Sequence, residues 1–273
     1  MKFSVTVTAI KPKFAPLIFT GGIYDHLPLI EELGYDAIEL HVGNPATLDR
    51  KELRKQLDAH HLTISMIGTG LAFGEEGLSW VDPDPEIRRK AIQRIKDHVD
   101  FGSEYGAQLA IGLIRGKTLS KDPAIAKEQV QMILDASREC ARYAEGTGVI
   151  LAIEPINRYE VEFVLNVDEA IEFTKQVDSP AAGILVDTFH MNIEDASIVD
   201  SIKRAGKYIT HVHLADSNRW APGYGHLDVP SVLKALKEIG YERYISFEVL
   251  PMPTPVEAAK QGITYVKGLL AQA

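Results

Sequence analysis

The chain has 273 residues, 45% hydrophobic and 25% charged, an ordinary globular composition with enough length to bury a large core. Its 38 acidic against 29 basic residues give a formal net charge of −9, which argues against a nucleic-acid binder, because neutralising phosphates takes a basic surface. A lone cysteine, Cys140, excludes an intrachain disulfide, and no apolar run suggests a signal peptide or a membrane span, so a cytoplasmic protein is expected.

Short apolar runs then alternate with amphipathic stretches eight times. The runs are Phe3–Thr8, Tyr35–Val42, Leu62–Gly68, Gln108–Ile114, Val149–Ile156, Gly183–Thr188, Ile209–Ala215 and Tyr244–Leu250. They are apolar or β-branched almost throughout, the pattern of parallel strands buried on both faces. Between them, Asp49 caps a helix over Arg50–His61, and Pro85 opens a long one that Gly106 stops after Tyr105. Asp168, Asp195 and Asp228 each precede a helical pattern, and Gly148, Gly206 and Gly240 each follow one. No linker or change of composition divides the chain. The expected fold is α/β, a single (β/α)8 TIM barrel spanning residues 1–273. An open doubly wound sheet is the alternative, but Ala9-Ile10-Lys11-Pro12-Lys13 stands where its glycine-rich turn belongs.

In such barrels the chemistry sits at the C-terminal ends of the strands. Here four consecutive strands each deliver one metal-competent side chain near that end: Glu154, Asp187, His213 and Glu248. Any one alone reads as a helix cap, a salt-bridge partner or a hydrogen-bonded core histidine. Four in register on successive strands read as ligands, because a shared cation solves the cost of burying them together. Three carboxylates and an imidazole suit one divalent ion, Mn²⁺ first, then Co²⁺ or Mg²⁺.

The runs Glu154-Pro155-Ile156-Asn157-Arg158-Tyr159-Glu160, Asp187-Thr188-Phe189-His190-Met191-Asn192-Ile193-Glu194 and His211-Val212-His213-Leu214-Ala215-Asp216 resemble the xylose-isomerase-like barrel superfamily of sugar isomerases and epimerases. Within it they are most similar to the ketose 3-epimerases, those acting on D-tagatose and D-psicose. The resemblance implies metal ligation by Glu154, Asp187, His213 and Glu248, and substrate contacts from Glu160, His190 and Arg219. It also implies a homodimer or homotetramer. Its diagnostic part is the stretch from 154 to 248; the N-terminal half is much less distinctive.

The implied activity is a metal-dependent isomerase that inverts the carbon beside the ketone of a keto-sugar through a cis-enediolate. That reaction needs one base on each face of the substrate. Glu154 and Glu248, from different sides of the barrel mouth, are the expected pair, and the resemblance gives them the same roles. From the residues alone, Glu160 is either a hydroxyl acceptor or a partner of Arg158, and Arg219 is either a substrate clamp or a surface arginine. His211 reads as structural, His41 stands at the pocket edge or in the packing, and the loop from Gly68 to Trp80 is an apolar wall or a surface loop.

A keto-inositol dehydratase of the same superfamily is the alternative activity. An apurinic-site endonuclease is disfavoured, since Met66-Ile67-Gly68-Thr69-Gly70 and Leu113-Ile114-Arg115-Gly116-Lys117 lack its extra histidines. A neutral keto-sugar or keto-glycoside is expected rather than a phosphate ester. Pro251, Pro253 and Pro255 remove backbone donors from the last strand's loop, and Trp220 and Tyr224 suit stacking on a sugar face. Arg115 with Lys117 is the one candidate phosphate grip.

Overall fold

The chain closes on itself because its first strand pairs in parallel with its last, Lys2 beside Tyr244 and Val5 beside Phe247. This computed structural model describes residues 1–13 and 15–272. Its strands are β1 (Lys2–Thr8), β2 (Phe19–Thr20), β3 (Ala37–His41), β4 (Thr63–Gly68), β5 (Gln108–Ile111), β6 (Leu151–Ile153), β7 (Ala182–Asp187), β8 (Ile209–His213) and β9 (Tyr244–Phe247). All pair in parallel, and β1 with β3 to β9 forms a closed eight-stranded barrel, while β2 adds two residues beside the end of β1. The expected TIM barrel is the observed fold.

The helices are α1 (Leu27–Glu32), α2 (Arg50–Ala59), α3 (Gly70–Gly74), α4 (Pro85–Tyr105), α5 (Pro123–Ala144), α6 (Val167–Val177), α7 (Thr188–Glu194), α8 (Ile198–Ala205), α9 (Val229–Glu238) and α10 (Pro255–Leu270). Several boundaries obey the local signals. Asp49 accepts from the amides of Lys51 and Glu52 to start α2, and Gly106 takes the left-handed conformation that ends α4. Two expected caps are displaced. Asn166 caps α6, leaving Asp168 in its first turn, and Ser197 caps α8, while Asp195 closes α7 and accepts the Ser201 hydroxyl. Among the described residues, no helix is long and apolar enough to cross a membrane.

Strand periodicity sorts the side chains. One parity (Ile67, Leu109, Ile111, Leu151, Ile153, Ile184, Val186) joins the large core shared with the helices. The other includes Met66, Ala110, Ala152 and Leu185, which form a separate small apolar cluster. The candidate ligands share that second parity: Glu154 stands two residues beyond Ala152, and Asp187 two beyond Leu185. Several strands end earlier than their apolar runs, β5, β6 and β9 by three residues each. Past Ile111 and past Ile153 the chain leaves the ladder but stays buried, so hydrophobicity continues where strand pairing does not.

Candidate active site

The four sequence-selected ligands converge at the C-terminal mouth. Asp187 and His213 are the last residues of β7 and β8, and Glu154 and Glu248 are the first beyond β6 and β9. One ligand atom from each lies within 4.8 Å of all the others. His213 Nδ1 is 3.5 Å from Glu248 Oε2, 3.7 Å from Glu154 Oε1 and 3.8 Å from Asp187 Oδ2. Among the described residues, neither His213 Nδ1 nor Asp187 Oδ2, both buried, has a hydrogen-bond partner.

Burial opposes ionisation here, yet the neighbouring donor and charged groups win. His190, His213 and Arg219 hold the Asp187 carboxyl down at about 2 against its desolvation. Burial likewise works against the Glu248 carboxylate, but His213 and Arg219 keep it below its ordinary range. For His213 burial pulls downward, and Glu39 and Glu248 outweigh it and raise the imidazole well above its usual value. The cluster therefore concentrates negative charge around one basic nitrogen.

This cluster opens into a cavity of about 620 Å³, lined among others by Glu154, Glu160, His190, His213, Arg219 and Glu248. The three sequence-selected substrate residues thus border the same cavity as the ligands. Arg219 donates from Nη1 to Glu160 Oε1 at 3.0 Å and from Nη2 to Glu248 Oε2 at 3.3 Å, with its guanidinium 4.8 Å over the Phe189 ring. Arg158 instead pairs with Glu194, which frees Glu160 to face inward. The Arg219 backbone is left-handed, at φ 61°. Asp216 holds that loop, its carboxylate accepting from the amides of Ser217, Gly223 and Leu227.

Two contributing residues escaped the sequence reading. Asn157 donates its backbone and side-chain N–H groups toward His190 Nδ1, at 3.4 and 2.8 Å, so the His190 hydrogen sits on Nε2. That Nε2 lies 3.8 Å from Asp187 Oδ2 and 3.9 Å from Glu154 Oε1. Glu39, fully buried in β3, contacts His41, His211 and His213. Its signal was available: an acidic residue inside Ala37-Ile38-Glu39-Leu40-His41 has no place in a purely apolar strand. His41 lines the cavity and lies against Gly68, where a Cβ would come within 2.3 Å of His41 Nδ1.

Three other expectations change. Arg115 is no phosphate grip: it is fully buried and donates to the carbonyls of Ile111, Gly112, Phe163 and Val164. Trp220 and Tyr224 pack edge to face on each other with ring centroids 6.0 Å apart, and the cavity wall there is Asn218, Arg219 and Leu250. The Gly68–Trp80 loop divides, Phe73 on the cavity and Trp80 in the core.

Residues 27–269 match the family described as xylose isomerase-like TIM barrel. The chain belongs to that family. Among curated proteins it is 30% identical over 234 residues to the D-psicose 3-epimerase of Ruminiclostridium cellulolyticum, covering 82% of this chain and 76% of that one. It is 24% identical over 257 residues to the 3-dehydro-D-guloside 4-epimerase of Escherichia coli, covering 91% and 95%. Among solved structures, the D-allulose 3-epimerase of Methylomonas sp. in complex with D-allulose superposes with a TM-score of 0.82 at 23% identity, covering 98% and 97%. That last likeness is one of fold. The expected kinship with xylose-isomerase-like sugar epimerases is borne out.

Proposed function

We propose that this carbohydrate epimerase inverts a carbon adjacent to the ketone of a neutral keto-sugar, with one divalent cation held by Glu154, Asp187, His213 and Glu248. The observation that carries the reading is the pair of unsatisfied buried atoms, His213 Nδ1 and Asp187 Oδ2, aimed with two further carboxylates into one point on a cavity wall. Buried polar atoms without partners are costly, and a cation among them removes the cost. Oxygen and imidazole donors suit Mn²⁺, Co²⁺ or Mg²⁺. A cation bound there supplies Lewis acidity, making the proton beside the ketone more acidic.

The chain's own groups carry the remaining work. One of Glu154 and Glu248 removes the proton from carbon, and the electron pair moves to the carbonyl oxygen, leaving an enediolate. The other carboxyl returns a proton to the opposite face, and the enediolate collapses to the epimeric ketone. His190 Nε2–H is a donor for a substrate oxygen. Arg219 holds Glu160 and Glu248 in place and adds positive charge to a site where negative charge develops.

The keto-glycoside variant of this reading draws support from the near full-length match to the guloside 4-epimerase. The experiment is incubation of the Mn²⁺-loaded enzyme with ketoses and keto-glycosides in D₂O. Deuterium beside the carbonyl together with an epimeric product supports the reading. Products lighter by one water would identify a dehydratase, and no exchange with any member of the panel would sink the proposal.

A further inference from the structure

Glu39 sits within β3, fully buried, in register with the apolar Met66 of β4. A carboxylate there is costly unless its lone pairs are filled. Three imidazoles fill them. His41 Nε2 lies 3.1 Å from Oε1, His211 Nε2 lies 3.0 Å from Oε2, and His213 Nε2 lies 3.0 and 3.1 Å from the two oxygens. A carboxylate only accepts hydrogen bonds, so each of these three rings must carry a hydrogen on Nε2.

The consequence falls on His213. With Nε2–H turned toward Glu39, the opposite nitrogen, Nδ1, is the atom that faces Glu154, Asp187 and Glu248. We propose that Glu39 is a positioning residue of the cation centre, fixing the ring orientation of His213 and its tautomer so that the Nδ1 lone pair points at the cation. Through His41, whose Nε2 is also 3.8 Å from Glu248 Oε1, the same carboxylate steadies the opposite side of the cluster. Such outer partners of a ligating histidine typically set metal affinity. The inference rests on the cation reading above.

The test is a Mn²⁺ titration of the metal-free parent, Glu39→Gln and His211→Asn, with a thermal melt of each. Glu39→Gln should bind Mn²⁺ about 10- to 100-fold more weakly. His211→Asn loses a hydrogen bond to the same carboxylate but contributes no atom to the cation cluster, so its affinity should stay within about threefold of the parent. Unchanged affinity in Glu39→Gln, or equal weakening in both variants, would overturn the proposal, the second outcome marking Glu39 as a packing residue only. Nitrogen-15 spectra of the Mg²⁺-loaded parent give a readout that needs no variant to fold. His41, His211 and His213 should each show a hydrogen on Nε2, and its absence from any of them overturns the assignment. A parent that takes up no Mn²⁺ would bring down the cation reading and this one together; a competent site indifferent to Glu39→Gln brings down this one alone.

Discussion

His213 Nδ1 and Asp187 Oδ2 lie 3.8 Å apart at the ends of adjacent strands, and among the described residues neither has a hydrogen-bond partner. Two buried polar atoms without hydrogen-bond partners this close together are what a cation, as proposed above, would satisfy. Removal of divalent ions should therefore abolish activity, and Mn²⁺ or Co²⁺ should restore it. His213→Ala and Asp187→Asn should each lose most of the bound ion. Metal content by elemental analysis, read beside activity, checks this; full activity in a verified metal-free sample would refute it.

Glu154 and Glu248 approach the cluster from β6 and β9, on different sides of the mouth. Glu154→Gln and Glu248→Gln should each lower turnover by at least about a hundredfold, the scale of general acid–base catalysis, while the nearly isosteric amide leaves the fold intact. A crippled variant should still exchange the substrate proton of one epimer with D₂O, because the base on that face remains. Normal turnover in Glu248→Gln would mean that β9 supplies no base.

Lys117 lines the cavity, whereas Arg115 is turned into the backbone. A free ketose or keto-glycoside should therefore have a kcat/KM at least equal to that of its phosphate ester. A phosphate ester preferred about a hundredfold, with the preference lost in Arg219→Ala or Lys117→Ala, would reverse this; a factor of that size corresponds to about 2.7 kcal/mol. Burial pulls the Arg115 guanidinium down to about 10, which still leaves it protonated at neutral pH. Arg115→Met should act on the fold instead, costing at least about 2 kcal/mol because carbonyls lose their donors. Denaturant melts measure it, and an unchanged midpoint would contradict the structural role.

Cys140 is buried in α5, and burial raises its thiol to about 12. At neutral pH it stays protonated and inert, since the thiolate is the reactive form. A thiol reagent should label no cysteine in the native protein and one per chain in denaturant. Rapid labelling of the folded enzyme would show that this helix opens readily.

The βα alternation was legible because it depends on local periodicity and on caps such as Asp49 and Gly106, which act within a few residues. The four candidate ligands were legible for a related reason: strand parity and position at a strand end place each one independently of its neighbours. Glu39 stood out only as an acid in an apolar strand; its role was not legible, because its partners His211 and His213 lie 172 and 174 residues away and only barrel closure brings them together. Arg115 and Trp220 were misjudged for the same cause. Each sits in a loop of suitable composition, but the direction of a side chain there is decided by which carbonyls or rings the folded neighbours present. Local periodicity and caps carried the barrel, and strand-end position carried the four acid and histidine candidates at its mouth. Tertiary packing decided which nitrogen of His213 faces that site, because the partner of the other nitrogen comes from the far side of the barrel.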